Sequence, residues 1–361
     1  MRLTSKTPLS GHGARSNPDS RFLKYSRSDE HAQPDPEEVG EPPAIRRSEV
    51  SWETAKSIIT RNDSPDVPFD RSVNFARGCE HGCIYCYARP THSYLGLSPG
   101  LDFETRIIVK ENAPELLRKE LSKPGYRPAP LALGANTDPY QPLEREFGLT
   151  RRILEVLAEF NHPATITTKG ALVERDIDLL APMAEKNLVR VLLSIATLDP
   201  ETARRLEPRA AAPHRRIAAI ARLSEAGIPT GVIVAPIIPA LTDQDIERVL
   251  QAAREAGATV AAYVFLRLPL EVKDLFIEWL EAHYPDRAAH VMSLVRQSRG
   301  GADNDSRFGE RMAGSGVFAD LIAQRFRLAA RRLGFQDQDQ PLNCELFARP
   351  EAGPKQMDLF S

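Results

Sequence analysis

The sequence predicts an α/β fold, a partial (β/α)6 TIM-like barrel, and three observations carry that expectation. Six short apolar runs alternate with amphipathic helical patterns from Ser72 onward, as in a parallel sheet with covering helices. Six units are too few to close an eight-stranded barrel, which leaves a partial barrel or an open doubly wound sheet; both place ligands at the strand C-termini. No G-x-G-x-x-G or P-loop glycine run follows any of the six, which favours the partial barrel over an ordinary nucleotide-binding sheet.

Taken in order, residues 1–65 are rich in Ser, Pro, Asp, Glu and Arg with few large apolar groups, so they are expected to form a largely disordered arm. Within it, Trp52–Thr60 reads as a short helix. The barrel core is expected over 66–284, with strands at Ser72–Ala76, Pro130–Gly134, Ala164–Thr168, Val189–Ile195, Thr230–Ala235 and Val260–Phe265. Asn112 and Thr150 precede helical patterns, Asp199-Pro200 reads as an N-cap with a first-turn proline, and Thr242 with Asp245 resembles a capping box. Gly227 and Gly257 supply matching stops. A helical cap is expected over 285–335, with helices at Ala288–Arg299 and Val317–Leu333. Residues 336–361 read as a flexible tail.

The chain has 361 residues, 42% of them hydrophobic, and no run of eighteen apolar residues, which excludes a membrane-spanning segment. Met1–Ser10 carries two cations with no apolar stretch behind them, so a cytoplasmic location is expected. A net charge of −2 excludes the broad basic footprint of a generic nucleic-acid binder. The arginine-rich stretch Arg287–Arg332 is the best local candidate for such a surface, although charge alone favours a solvated helix face.

Of the four cysteines, Cys79, Cys83 and Cys86 fall within eight residues, immediately after the first predicted strand. In a reducing compartment such clustering points to metal rather than to disulfides. Three thiolates can hold three irons of a 4Fe-4S cube and leave the fourth open to an outside ligand. A zinc site completed by His81 or Cys344 is the alternative; zinc modules usually pair their ligands two and two, and the second pair is missing here.

Cys-x-x-x-Cys-x-x-Cys with the aromatic Tyr85 before the last cysteine resembles the signature of the radical S-adenosylmethionine (SAM) superfamily. Arg89-Pro90-Thr91-His92, Tyr94-Leu95-Gly96-Leu97, Asp102-Phe103 and Asn136–Gln141 resemble a bacterial group within it related to spore photoproduct lyase, a DNA-repair enzyme. The resemblance implies a barrel of the radical SAM type, a 4Fe-4S cluster on Cys79, Cys83 and Cys86, and SAM on the open iron. It also implies an external one-electron donor and reductive cleavage of SAM to a 5′-deoxyadenosyl radical that abstracts hydrogen from substrate. By the same resemblance, Tyr85, Asn136, Asp138, Lys169 and Ser194, at or beside the strand ends, are candidate SAM-binding residues, with Lys169 placed to take the carboxylate. The lyase uses a further cysteine as hydrogen donor. None lies between Cys86 and Cys344 here, leaving Tyr140, Tyr87 or Cys344 as substitutes.

The last residues place Gln356, Met357, Leu359 and Phe360 in a pattern resembling the peptide that bacterial replication and repair proteins insert into the sliding clamp. Together these features predict a radical SAM enzyme, a possible C–C lyase, acting on nucleic acid, with DNA and the sliding clamp as partners. Arg299 and its neighbours would contact phosphates, and Phe308 or Phe318 would meet bases. Action on tRNA, a peptide or a small metabolite is the second expectation; a non-catalytic iron–sulfur redox sensor associated with the clamp or nucleic acid is the third.

Overall fold

A computed structural model of the chain describes residues 11–23, 48–336 and 341–350. Its strands are β1 (Glu49–Glu53), β2 (Ile59–Arg61), β3 (Arg71–Val73), β4 (Ala76–Arg77), β5 (Arg106–Lys110), β6 (Leu131–Leu133), β7 (Ala164–Thr168), β8 (Val189–Ser194), β9 (Thr230–Ile237) and β10 (Val260–Phe265). The main sheet runs β10-β9-β8-β7-β6-β3-β2, with only the β2–β3 pair antiparallel. The six parallel strands therefore follow one another in sequence order. A doubly wound sheet would reverse direction at a switch point. Among the described strands the order never reverses, so the curled partial barrel is the architecture, with its ligand face at the C-terminal strand ends.

The apolar runs of β7, β8 and β9 bury Ile166, Val191, Leu193, Val232 and Val234 fully between sheet and helices. Amphipathic helices such as Leu149–Glu159, Pro213–Glu225 and Ile246–Glu255 close over that face. The helix Val317–Arg332 adds Ile322, Phe326 and Ala329 to the same core. A second apolar cluster, centred on Phe276, Trp279, Leu206 and Ile84, lies under the loop that carries the three cysteines.

Several local expectations are corrected. Trp52–Thr60 is not helical: it spans the end of β1 and the start of β2, because parallel pairing of β1 with β5 overrides the local pattern. Ser72–Ala76 is not one strand. It breaks at Asn74-Phe75, leaving β3 in the barrel sheet and β4 in the small sheet β1-β5-β4. Asp199 caps its helix as expected, accepting from the Thr202 amide at 2.8 Å. The Asn112 side chain instead pairs with both backbone groups of Ala55, and Thr242 bonds the Ile238 amide and the Pro236 carbonyl rather than forming a capping box. Residues 11–23, within the arm expected to lack order, pack against the cysteine loop, burying Ala14 and Ser20. Residues 341–350 dock at the opposite end of the barrel, where Phe347 meets the rings of Tyr126, Phe160 and His162.

Candidate active site

The loop after β4 carries Cys79, Cys83 and Cys86 at the C-terminal edge of the barrel. It is anchored from below by Ile84, which is fully buried in the second core and donates its amide to the Leu206 carbonyl at 3.1 Å. Burying a side chain of this size contributes about 2 kcal/mol. Gly82 has φ of 67°, and a Cβ there would stand 2.5 Å from Glu104 Oε2, so only glycine fits the turn. Buried Gln141 joins the loop to the end of β6: it accepts from the Glu80 amide at 2.8 Å and donates to Thr137 Oγ1, which donates to the Gly78 carbonyl at 2.6 Å.

Arg89, with no exposed surface, holds the loop from behind. It donates to the carbonyls of Cys83 (2.9 Å), Gly82 (3.0 Å), Pro99 (3.2 Å) and Gly100 (2.8 Å), and to Glu104 Oε1 at 2.7 Å. Glu104 is fully buried too and also accepts from the amides of Gly13 and Ala14 at 3.0 and 2.7 Å. Burial alone would push its carboxyl up; Arg89 foremost, with His12, the Ala14 amide and Arg209, outweighs this and holds it below the usual carboxylate range. From the sequence, Arg89 stands only within the motif Arg89-Pro90-Thr91-His92 with no role of its own, and Glu104 carries no signal. The available signal was an arginine three residues past the last cysteine, and it becomes meaningful only once Glu104 and residues 13–14 are brought to it.

The remaining walls come from strand ends. Lys169, just past β7, points its ammonium at the Tyr85 ring, 5.9 Å from the centroid. Burial opposes its charge, but Cys83 and Glu207 outweigh that and raise it. Tyr85 donates its hydroxyl to Glu207, which is paired with buried Arg216; Arg216 also donates to the Ser194 carbonyl at 2.7 Å. The Glu207 carboxyl, which burial would raise, is lowered by Arg216 and Lys169. Asp138 is occupied by Thr168 Oγ1, the Tyr140 amide and the Lys169 amide, and lies 3.3 Å from His81 Nδ1. These contacts make it a positioning group. Ser194 Oγ turns to the Ala235 carbonyl at 3.3 Å, whereas Asn136 is exposed at the mouth with its amide on Asn74. The structure thus brings Tyr85 and Lys169 directly to the cysteines and sets Asp138 and Ser194 in their support.

None of the three cysteines is in a disulfide; two are buried and Cys86 is half-buried. Burial pushes the Cys83 and Cys86 thiols up, while the Ala88 amide donates to the Cys86 sulfur. Among the described residues, no three His, Cys, Asp or Glu side chains converge on a single ion position.

A family model described as the radical SAM superfamily matches residues 73–253, beginning at the end of β3 and covering the cysteine loop. The chain belongs to the radical SAM superfamily. Its cofactors are accordingly a 4Fe-4S cluster and SAM, and the donor set fits them: three free cysteines, glycines where the loop turns, and a lysine beside Cys83. A Mycobacterium tuberculosis protein named only as uncharacterized is 36% identical over 277 residues, 74% of this chain and 82% of its own. A Pseudomonas phage M6 protein named radical SAM Nalpha-GlyT isomerase is 26% identical, over 62% of this chain and 45% of its own. Among solved structures, spore photoproduct lyase complexed with dinucleoside spore photoproduct superposes with a TM-score of 0.58 at 16% identity, over 79% of this chain and 80% of that one, which establishes the shared fold. Among the described residues, no helix is long and apolar enough to cross a membrane.

Other residues of this radical SAM protein lie differently from expectation. Cys344 sits at the N-terminal ends of the strands, where the Asn343 amide bonds the Asn187 carbonyl just before β8. It is therefore at the far end of the barrel from the cluster loop and neither completes a metal site nor reaches the mouth. Tyr140 turns its hydroxyl to buried Asp176 at 3.0 Å, which leaves Tyr87 as the phenol at the mouth. Arg299 is buried and donates to the carbonyls of Leu266 and Glu310, so it braces the chain rather than a phosphate. Arg296, Arg307, Arg311 and Arg325 are ion-paired with Asp303, Asp305, Asp66 and Glu247. Phe318 packs on the core, while Phe308 is exposed beside Arg311. Gln356, Met357, Leu359 and Phe360 lie outside the described residues.

Proposed function

We propose that this protein reductively cleaves SAM at its cluster and directs the resulting radical at nucleic acid, with damaged DNA as the substrate class. The observation that carries the reading is the pairing of Arg267 with Tyr87 at the mouth. Tyr87 is 47% exposed on the cluster loop, and Arg267, just past β10, stands 5.4 Å above its ring. Arg267 Nε is buried without a partner, and its Nη1 reaches only Met312 Sδ at 3.7 Å. An undersatisfied guanidinium beside an open aromatic face suits a substrate that carries both a phosphate and a flat base. The fold shared with a lyase solved in complex with a dinucleoside photoproduct supports the same reading.

When bound, the reduced cluster supplies the electron that splits SAM into methionine and the 5′-deoxyadenosyl radical. The chain's own residues bind and orient: Lys169 takes the SAM carboxylate, Glu207 and Arg216 hold Tyr85, and Asp138 fixes the backbone at Lys169. With Cys344 at the other end of the barrel, hydrogen return to the substrate radical would fall to the Tyr87 hydroxyl, released from the Ala135 carbonyl, and the tyrosyl radical left behind would be restored to the phenol by an electron from the external donor and a proton from solvent. The Gln356–Phe360 segment would bring the enzyme to DNA through the sliding clamp.

The test is anaerobic incubation of the cluster-loaded full chain with SAM and dithionite, measuring 5′-deoxyadenosine. Ultraviolet-damaged DNA should stimulate formation over undamaged DNA, tRNA and peptides. Stimulation by tRNA, a peptide or a metabolite extract instead would transfer the substrate assignment to that class. A cluster-loaded chain that bound no SAM would favour the redox-sensor reading.

A further inference from the structure

On the outer side of His81 lies a cavity of about 530 Å³, of small-molecule size, between the loops that follow β6, β7 and β8. Four arginines, Arg145, Arg175, Arg209 and Arg215, line it against one carboxylate, Glu174. Their state of pairing separates them. Arg175 is saturated by Glu144 and Asp176. Arg215 is held only loosely, 3.6 Å from Glu174, which is shared with Arg222. Arg209 gives one nitrogen to Glu104, while its Nε is buried with no acceptor. Arg145 is exposed and has no ion-pair partner among the described residues. His81 itself is buried and presents an imidazole to the same space.

We infer that this cavity binds a phosphate-bearing anion. Buried donors without acceptors are costly, and guanidinium forks match phosphate oxygens in geometry as well as charge. One carboxylate cannot satisfy Arg145, Arg209 and Arg215 together, whereas a diphosphate offers enough oxygens for all three. The cavity wall also touches the active site through its backbone: the Arg209 amide donates to the His81 carbonyl at 3.3 Å and the Ala211 amide to the Lys169 carbonyl at 3.2 Å. An anion bridging these arginines would brace the loops that carry both residues. The site stands apart from the substrate assignment and does not depend on it.

The probe is pyrophosphate, titrated calorimetrically into the cluster-loaded full chain, with Arg145→Glu and Arg215→Glu as variants whose exposed positions leave the fold intact. Saturable binding is expected in the wild type, weakened at least ten-fold by each reversal, with SAM affinity unchanged in the absence of pyrophosphate. A single-stranded oligonucleotide titrated in parallel identifies the source. If the reversals weaken it as well, the cavity takes a phosphate of nucleic acid; if they weaken pyrophosphate alone, it takes a free phosphate compound. No saturable binding of either probe, or equal affinity in wild type and both variants, overturns the inference.

Discussion

Replacing Arg89 with methionine tests the packing that shapes the cluster loop. The guanidinium makes five hydrogen bonds, four to backbone carbonyls and one to Glu104, all from a fully buried position. Methionine fills a similar volume but leaves the Glu104 carboxylate with only the Gly13 and Ala14 amides, His12 and the longer contact to Arg209 at 3.4 Å. Breaking one partner out of a buried ion pair costs about 3–5 kcal/mol, and the orphaned carbonyls place this case at the upper end. Adding Glu104→Gln removes the stranded charge, so the double variant should be more stable than the sum of the singles by about 1–3 kcal/mol. The assay is urea unfolding of the apoprotein at neutral pH, read as a midpoint shift at constant slope, with iron per chain after reconstitution as a second readout. The pH dependence adds a sign. Because Glu104 is held below its ordinary range in the folded state, its stabilisation is full above that range and is lost as pH falls from there through the depressed folded value. This component should vanish in Arg89→Met. A cost under about 1 kcal/mol, or additivity within about 0.5 kcal/mol, would refute the reasoning.

Lys169→Met should weaken SAM binding by about ten-fold or more, the worth of one charge-assisted hydrogen bond, while iron content stays near wild type; equilibrium binding checks both. Cys344→Ser, at the far end of the barrel, should leave iron content and SAM cleavage unchanged. His162, whose imidazole burial lowers to about 4, stays neutral in the folded state. Its contribution is therefore full above its ordinary value near 6.5 and is lost as pH falls from there toward about 4, so His162→Gln should flatten unfolding free energy across that window. Deleting Gln356–Phe360 should abolish retention on immobilised sliding clamp without altering SAM cleavage.

What the sequence disclosed follows from how local each signal is. β7 and β10 match their expected bounds because each is a short run without charges, rich in β-branched residues in β7 and apolar throughout in β10, with a helix on either side. The break between β3 and β4 was hidden: Asn74 leaves the strand to hold the Asn136 amide, 62 residues away. β1 was hidden as well, since its partner β5 lies more than fifty residues downstream and its own pattern fits a helix equally well. The three cysteines were legible because the metal chemistry is written in their spacing. Arg89, Glu104, Glu207, Arg216 and Arg267 were not, because their roles depend on long-range neighbours that turn ordinary surface residue types into buried pairs and an undersatisfied charge. Arg299 shows the converse error, since composition counted its charge but not its burial.

The most direct test of the central claim is 5′-deoxyadenosine formation by the reconstituted chain under dithionite, compared with Cys83→Ala and with ultraviolet-damaged DNA added. The account predicts product from the wild type, none from the variant, and a rise when damaged DNA is present. Wild-type product no greater than that of Cys83→Ala would contradict it.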